Sequence, residues 1–215
     1  MINQLLRLLH CYSEKNIILR DKMDKDKWEK DKQEKVCFFD LDGILNYYPQ
    51  TWIDFVNQNR EEPIFDDLFV MKNTIPFQEY KDLKESYRTS GHKETLSVRE
   101  NASYVITELK ERGYKVVIIS SRPAHKYPQL IGQTVHWLDR HVPNYDEVLF
   151  EEKKFIPVLS KYLFLRFGVE DNRYYANLVA RWGYKMYLLN TKYNHGEVHK
   201  NVIRFTDIKE ILNEQ

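Results

Sequence analysis

Short apolar runs recur along the chain from residue 35 onward, separated by stretches of polar and charged residues. The runs are KVCFFD at 35–40, KVVIIS at 115–120, DEVLF at 146–150, YLFLRFGV at 162–169, YKMYLLN at 184–190 and VIRF at 202–205. Because these runs are rich in β-branched and aromatic residues and lack polar alternation, they predict parallel strands that are buried on both faces.

Amphipathic stretches with helical spacing lie between these runs. Apolar residues recur at intervals of three and four positions over 102–109, 131–138, 155–162 and 175–182. Gly113 and Gly183 follow the first and last of these stretches, where glycine commonly ends a helix. Strands that alternate with helices predict βαβ units. The chain is therefore expected to have an α/β fold with a Rossmann-like, doubly wound parallel sheet.

One long stretch interrupts the alternation of strands and helices. Residues 46–98 are rich in aromatic and charged side chains and are too many for a simple crossover between two strands. We therefore predict an inserted, mainly helical cap at 46–98 and a core built from 35–45 and 99–215. Residues 1–34 are predicted to be an N-terminal extension, helical or linker, because 21–35 alternate charges with almost no apolar stripe.

Composition narrows the classes of protein that the chain can belong to. The 215 residues are 42% hydrophobic and carry a formal net charge of +1. This size fits one domain with a smaller insertion, and the charge balance argues against a general nucleic-acid or membrane-surface footprint. No stretch reaches the length of a transmembrane helix, and Cys11 and Cys37 have no metal-ligand spacing. We expect a cytoplasmic protein with reduced thiols and no membrane partner.

Polar residues stand at the carboxyl ends of the predicted strands. They are Asp40-Leu41-Asp42-Gly43 after the first run, Ser120-Ser121-Arg122 after the second, Lys153-Lys154 after the third and Glu170-Asp171-Asn172 after the fourth. In an open parallel sheet these ends meet at one edge, which is where ligands bind. Carboxylates, hydroxyls and lysines are therefore expected to converge on a single site.

The acidic residues of this set suit phosphoryl transfer. Asp40 can attack phosphorus to form an acyl phosphate, which water later removes. Asp42 points the same way along an extended chain and can act as general acid and then as general base. Gly43 permits a sharp turn that brings backbone amides near the phosphate. Asp40 and Asp171 can supply the oxygen ligands that Mg²⁺ prefers, whereas Glu170 is predicted to bind the metal or to position a water or lysine.

Neighbouring residues are candidates for contacts with the substrate. The Ser120 hydroxyl and a lysine ammonium are expected to hold the phosphoryl oxygens, and Lys153 is favoured over Lys154 for that lysine. The predicted substrate contacts are Gly43, Ser121, Arg122, Lys154, Tyr47 and Tyr48. An ion pair within the protein is the alternative for Arg122. Tyr47, Tyr48, Trp52 and Phe55 offer rings that can stack on a base or sugar, although at least two are expected in the core of the cap.

The motifs together resemble a known superfamily. DLDGI at 40–44, IISSR at 118–122, Lys153-Lys154 and GVEDN at 168–172 are similar to the four motifs of the haloacid dehalogenase (HAD) superfamily, over about residues 35–205. The resemblance implies a Rossmann-like core under a mobile cap, with Asp40 as nucleophile and the Asp42 backbone carbonyl as a further Mg²⁺ ligand. Since dehalogenases lack the second aspartate and transport ATPases carry threonine there, Asp42 implies a phosphatase or phosphomutase.

A second resemblance bears on the substrate. Residues 113–123 and 127–138 are similar to deoxyribonucleotidases and to the 3′-phosphatase domain of polynucleotide kinase. We expect a Mg²⁺-dependent hydrolase of a small phosphorylated metabolite, with nucleotides favoured over sugar phosphates. The alternatives are a polynucleotide 3′-end phosphatase, a phosphomutase and a non-catalytic phosphate-binding module. A nucleic-acid partner stays open without being favoured, and a homo-oligomer stays open as well.

The segment NHGEVH at 194–199 has two histidines four positions apart. The glycine between them and the absence of helical spacing differ from the HExxH pattern of zinc sites. We therefore predict a solvated loop at 194–199.

Overall fold

Six parallel strands form the central sheet of the compact unit Lys35–Gln215, in the order β3-β2-β1-β4-β5-β6. The strands are β1 (Lys35–Asp40), β2 (Tyr114–Ser120), β3 (Glu147–Phe150), β4 (Leu165–Glu170), β5 (Lys185–Leu189) and β6 (Val202–Phe205). The computed structural model describes residues 34–151, 161, 162 and 164–214. The predicted α/β fold with a Rossmann-like parallel sheet is confirmed.

The described residues contain helices on either side of the sheet and between its first two strands. These are α1 (Gln50–Gln58), α2 (Leu68–Thr74), α3 (Phe77–Thr89), α4 (Ala102–Glu111), α5 (Gln129–His141), α6 (Arg173–Arg181) and the 3₁₀ helices His92–Glu94 and Ile208–Glu214. Most of the helix predicted at 155–162 and nearly all of the predicted extension at 1–34 lie outside the described residues. None of the helices in the described part of the chain is long and apolar enough to span a membrane.

Alternate residues of β1 face two separate hydrophobic clusters. Cys37 and Phe39 belong to a cluster that includes the apolar faces of α4 and α5, whereas Val36 and Phe38 belong to one that includes α6. Side chains of a strand alternate between the two faces of a sheet, and both faces of this sheet are covered. This explains why the strand sequences are continuous apolar runs.

Strand β4 begins later than the start predicted at residue 162. Tyr162 precedes the strand, yet its ring is 6% exposed and packs in the same hydrophobic cluster as Leu165. The apolar run in the sequence therefore starts before the strand does, because a residue can be buried without pairing with a neighbouring strand.

The stretch between β1 and β2 leaves the sheet and returns to it at one place. Asn46 and Val98 form an antiparallel bridge, and the Arg99 N–H donates to the Leu45 carbonyl oxygen at 2.8 Å. The residues between these points have a hydrophobic cluster of their own: Trp52, Ile53, Phe55, Val56, Phe65, Met71, Ile75 and Tyr87. The assignment of 46–98 as a cap stays a prediction.

Gly168 lies in β4 where side chains of β1 and β5 close over it. A Cβ at this position would lie 2.2 Å from Cζ of Phe38 and 2.8 Å from Sδ of Met186. We expect Gly168→Ala to lower the free energy of unfolding by about 1–3 kcal/mol, because the core must shift to accommodate the extra methyl group. Urea unfolding followed by circular dichroism measures this change.

The matched control is Gly132→Ala in α5, where no atom lies within 4 Å of the added Cβ. Alanine favours a helix interior over glycine by about 1 kcal/mol, so this variant is expected to be at least as stable as the parent. If Gly168→Ala unfolds at the same urea concentration as the parent, the packing argument for this position is wrong.

Candidate active site

Three neighbouring strands end at one edge of the sheet. Asp40 is the last residue of β1, Ser120 of β2 and Glu170 of β4. Because β1 pairs in parallel with both other strands, the three side chains are brought to the same edge. Each of them is 1% exposed. The spatial order of the strands changes direction at this point, which is where ligands bind in folds of this kind.

An acidic cluster occupies this edge. Carboxylate oxygens of Asp40, Glu170 and Asp171 lie within 4.8 Å of one another, and all three residues are buried. Like charges at such distances disfavour joint ionisation unless positive charge or hydrogen-bond donors stand opposite them. Carboxylate oxygens are also the preferred ligands of hard divalent cations. The cluster therefore fits a divalent metal ion.

Each carboxylate of the acidic cluster accepts a hydrogen bond from a neighbouring donor. These bonds run from Leu41 N–H to Oδ1 of Asp40 (2.7 Å), from Asn172 N–H to Oε2 of Glu170 (3.1 Å) and from the Tyr193 hydroxyl to Oδ2 of Asp171 (2.5 Å). Burial and the neighbouring Asp171 carboxylate raise the pKa of Tyr193. The phenol therefore stays protonated and continues to donate.

Gly43 allows the loop after β1 to pass directly against the acidic cluster. Its φ is +99°, and a Cβ on it would lie 2.1 Å from Oδ2 of Asp171, so no larger residue fits here. The Arg99 guanidinium holds this loop, since it donates to the carbonyl oxygens of Gly43 at 2.8 Å and Ile44 at 3.0 Å. Sequence reasoning did not identify Arg99, because nothing in its local sequence indicates contact with a loop so distant in the chain.

Asp42 is surrounded by cations rather than by other carboxylates. Arg122 donates from Nε to Oδ2 at 3.1 Å and from Nη2 to Oδ1 at 2.7 Å. The Lys93 ammonium lies 3.3 Å from Oδ2, and the Asn46 side chain donates to Oδ1 at 2.8 Å. Burial raises the pKa of Asp42, but the charges of Arg122 and Lys93 outweigh it and hold this pKa well below the usual range. Asp42 is therefore ionised in this arrangement.

Arg122 connects Asp42 to the second strand and to α5. Its Nη1 donates to Oγ1 of Thr134 at 2.7 Å, and its backbone N–H donates to Oγ of Ser120 at 3.2 Å. The residue is 4% exposed. Of the two interpretations open for Arg122, the ion pair within the protein is the one seen here. Ser121, beside it, is exposed.

Lys93 is a member of this site that sequence reasoning missed. It lies in the short helix His92–Glu94 and is 5% exposed. Burial lowers the pKa of Lys93 to about 8, although the Asp42 charge acts in the opposite direction. A lysine in a charged segment between two strands has no local pattern that distinguishes it from a solvated one.

The four aromatic candidates Tyr47, Tyr48, Trp52 and Phe55, which follow the loop after β1, have different surroundings. Trp52 and Phe55 are buried in the hydrophobic cluster between β1 and β2, in agreement with the expectation that at least two would be core. The Tyr47 hydroxyl accepts a hydrogen bond from the Glu100 N–H at 3.2 Å, and its side chain is exposed. Tyr48 is half-buried.

The prediction of a solvated loop at 194–199 is wrong for its first residue. Asn194 is 3% exposed, and its Nδ2 donates to the carbonyl oxygens of Asp171 at 2.7 Å and Leu189 at 2.6 Å. The side chain thus satisfies backbone acceptors where β4 and β5 end. His195 is exposed, as predicted.

Two of the predicted site residues cannot be placed in this arrangement. Lys153 and Lys154 lie outside the described residues. The Asp42 side chain is not part of the acidic cluster, and the assignment of its backbone carbonyl to the metal stays a prediction.

Comparison with known proteins identifies the family of this chain. Residues 34–159 match the profile of the family described as 5′ nucleotidase, deoxy (pyrimidine), cytosolic type C protein (NT5C). A nucleotidase from Clostridium acetobutylicum is 25% identical over 186 residues, which cover 83% of this chain and 92% of that protein.

Solved structures share the fold at low sequence identity. The crystal structure of a predicted phosphatase from Clostridium acetobutylicum has a TM-score of 0.55 and 15% identity, covering 84% of this chain and 99% of that one. The HAD hydrolase YfnB from Bacillus subtilis, bound to magnesium, has a TM-score of 0.56 and 12% identity, covering 85% and 99%. The fold is therefore shared with HAD hydrolases, and the chain belongs to the NT5C nucleotidase family.

Proposed function

We propose that this phosphatase hydrolyses small phosphomonoesters with the help of Mg²⁺ and carries the phosphoryl group transiently on Asp40. The observation that carries the proposal is the juxtaposition of two charge environments at one sheet edge. One is the acidic cluster of Asp40, Glu170 and Asp171, and the other is Asp42 between Arg122 and Lys93. An acidic cluster beside a separately held carboxylate provides a nucleophile, a metal site and a proton carrier.

In the first half of the reaction, a carboxylate oxygen of Asp40 attacks phosphorus. A bond forms between that oxygen and phosphorus, while the bond from phosphorus to the leaving-group oxygen breaks. Asp42 gives its proton to the leaving oxygen, which departs as a neutral alcohol. The Leu41 N–H, 2.7 Å from Oδ1 of Asp40, fixes the orientation of the attacking carboxylate.

In the second half, water attacks the phosphorus of the phospho-aspartate. Asp42 removes a proton from this water as the bond between phosphorus and Asp40 breaks. Inorganic phosphate leaves, and both carboxyl groups return to their starting states. The cations beside Asp42 favour its ionised form, which is the form that this half of the reaction requires.

Donation of a proton in the first half requires a higher pKa for Asp42. A substrate phosphate beside Asp40 brings negative charge close to Asp42, and like charges raise the pKa of a carboxyl group. The same phosphate competes with Asp42 for the Lys93 ammonium, which lies 3.3 Å from Oδ2 of Asp42. Both effects move Asp42 toward its acid form when substrate is bound.

Asp40, Glu170 and Asp171 are the proposed metal ligands, together with the Asp42 backbone carbonyl. A bound Mg²⁺ neutralises part of the negative charge on the carboxylates and on the phosphate. The Ser120 hydroxyl and a lysine, Lys153 or Lys154, are the proposed contacts to the phosphoryl oxygens. Gly43 and Ser121 are proposed to contribute further contacts near the phosphate.

The family description and the similar nucleotidase support a nucleotide as substrate and the cytoplasm as location. The rings of Trp52 and Phe55 are buried. Of the four aromatic candidates, Tyr47 and Tyr48 are therefore the ones proposed to stack on a base. YfnB, which shares the fold, was crystallised with magnesium, and this supports the choice of Mg²⁺ over other divalent ions.

We expect phosphate release from small phosphomonoesters to require Mg²⁺ and to fall by about 10⁴-fold or more in Asp40→Asn, since the amide is a poor nucleophile. The assay compares deoxynucleotides, nucleotides, sugar phosphates and a 3′-phosphorylated oligonucleotide. Asp139→Asn is the control, because Asp139 is exposed and, among the described residues, its carboxylate accepts a surface hydrogen bond from Tyr145 at 2.9 Å. Undiminished turnover by Asp40→Asn would rule out the phospho-aspartate route.

Asp42→Asn is expected to separate the two halves of the reaction. With 4-nitrophenyl phosphate, whose leaving group needs little protonation, about one equivalent of nitrophenol should appear rapidly, and steady turnover should fall by about 10²–10⁴-fold. The phospho-enzyme then accumulates, because no base activates water. Rapid-mixing absorbance and intact-protein mass spectrometry measure these two species. A variant with slow turnover and no burst would contradict the assigned base role.

The metal site is expected to weaken when the acidic cluster loses charge or its supporting donor. Asp171→Asn removes one carboxylate, and Tyr193→Phe removes the hydroxyl that donates to Oδ2 of Asp171. Both variants should need a higher Mg²⁺ concentration to reach half of their thermal stabilisation by Mg²⁺. For Tyr193→Phe, which loses the supporting donor, this increase should be about 10–100-fold. Differential scanning fluorimetry across a Mg²⁺ titration measures this. Asp139→Asn should match the parent, and an unshifted titration in both variants would argue against this site.

A further inference from the structure

Two lysines from the stretch between β1 and β2 face the same pair of aromatic rings. The Lys84 ammonium lies 5.6 Å from the centre of the Tyr87 ring and 5.3 Å from that of Tyr48. The Lys93 ammonium lies 4.6 Å and 5.7 Å from the same two rings. Lys84 is also 4.1 Å from the centre of the Trp52 ring. We refer to Lys84 and Lys93 as the lysine pair.

The lysine pair brings more positive charge together than the surrounding described residues neutralise. Asp42 is the carboxylate in contact with Lys93, and Arg122 already holds that carboxylate with two hydrogen bonds. In the described part of the chain, Lys84 forms no ion pair or hydrogen bond, and its ammonium contacts only aromatic rings. An anion is therefore the missing counterpart of this surface.

The arrangement is unfavourable without such an anion. Burial lowers the pKa of Lys84 well below its usual range, and the nearby charges of Lys93 and Arg88 lower it further, although the charge of Asp42 acts in the opposite direction. Ring contacts return only about 0.5–2 kcal/mol per cation. Ionisable groups held in unfavourable surroundings beside an active site commonly serve a ligand.

The lysine pair lies on the side of the site where the leaving group departs. Asp42 must reach the leaving-group oxygen to protonate it, and Lys93 is in contact with Asp42. Attack and departure are roughly in line in phosphoryl transfer, so the leaving group points away from Asp40. Lys84 lies beside the same two rings as Lys93, and the charge of Asp42 acts on it as well. It is therefore placed to contact a substituent of the leaving group.

We propose that Lys84 and Lys93 form a subsite for a second anionic group, phosphate or carboxylate, on the leaving group of the substrate. The enzyme would then favour phosphomonoesters whose leaving group carries its own negative charge, such as nucleoside bisphosphates, over counterparts whose leaving group is uncharged. This inference rests on the proposed phosphatase function and assigns the substrate class at that site.

The buried rings of Trp52 and Tyr87 act as walls of this subsite and not as stacking platforms. Trp52 and Tyr87 are 0% and 1% exposed, and the ammonium groups cover their faces. An anion at this position therefore meets two ammonium groups held by buried rings. Such a site recognises charge and is tolerant of the chemical group that carries it.

The experiment compares kcat/KM for matched substrate pairs. Thymidine 3′,5′-bisphosphate is compared with thymidine 5′-monophosphate, and phosphoglycolate with ethyl phosphate, so that phosphate and carboxylate are tested separately. Wild-type enzyme should prefer the member with the second anion in at least one pair. Lys84→Met, which keeps most of the aliphatic chain, should lose about tenfold or more of that preference, mainly through KM, because a contact between charged groups is removed.

Lys81→Met is the matched control on the same helix. Lys81 is exposed, and its ammonium lies 5.4 Å from the centre of the exposed Phe77 ring, away from the lysine pair. This variant should leave both members of each pair unchanged. An equal loss for both members in Lys84→Met, or no preference in the wild-type enzyme, would overturn the subsite.

A binding measurement separates this proposal from the proposed function. Isothermal titration of Asp40→Asn with thymidine 3′,5′-bisphosphate and with the 5′-monophosphate reports affinity without turnover. Tighter binding of the bisphosphate that disappears in Asp40→Asn/Lys84→Met supports the subsite even if no substrate is hydrolysed. Hydrolysis of monophosphates together with equal affinities would leave the phosphatase function standing and refute the subsite.

Discussion

Repulsion between buried carboxylates is the constraint on which the rest of the site depends. Oxygens of Asp40, Glu170 and Asp171 lie within 4.8 Å of one another because parallel pairing brings the ends of β1 and β4 side by side. The packing of both sheet faces holds these like charges together, and neighbouring N–H and O–H donors offset part of their repulsion. A divalent cation fits this cluster as a counter-charge.

Asp40 and Asp42, at the end of β1, have different electrostatic surroundings. Asp40 faces other carboxylates, whereas Asp42 faces Arg122 and Lys93. Opposite electrostatic environments for neighbouring carboxyl groups are the usual basis for assigning one as nucleophile and the other as proton carrier. Lys93 comes from the stretch between β1 and β2, so the position of that stretch influences the charge state of Asp42.

Membership of the NT5C family and likeness to HAD structures support different conclusions about this protein. The structural likeness, at 12–15% identity, concerns the sheet and its helices and shows the fold alone. Substrate choice depends on individual side chains that the fold does not dictate. The lysine pair is an example, because both lysines come from the stretch between β1 and β2 and Lys93 contacts Asp42 in a site built by the sheet.

The sequence alone determined the strands and the acidic residues at their ends, because buried parallel strands leave continuous apolar runs and their carboxyl ends must share one edge. It also indicated a sharp turn at Gly43. Only the tertiary structure placed Lys93 against Asp42, Arg99 against the loop at Gly43 and Tyr193 against Asp171. These contacts join residues far apart in the chain, and a polar side chain that is buried by distant partners has the same local sequence pattern as one in solvent.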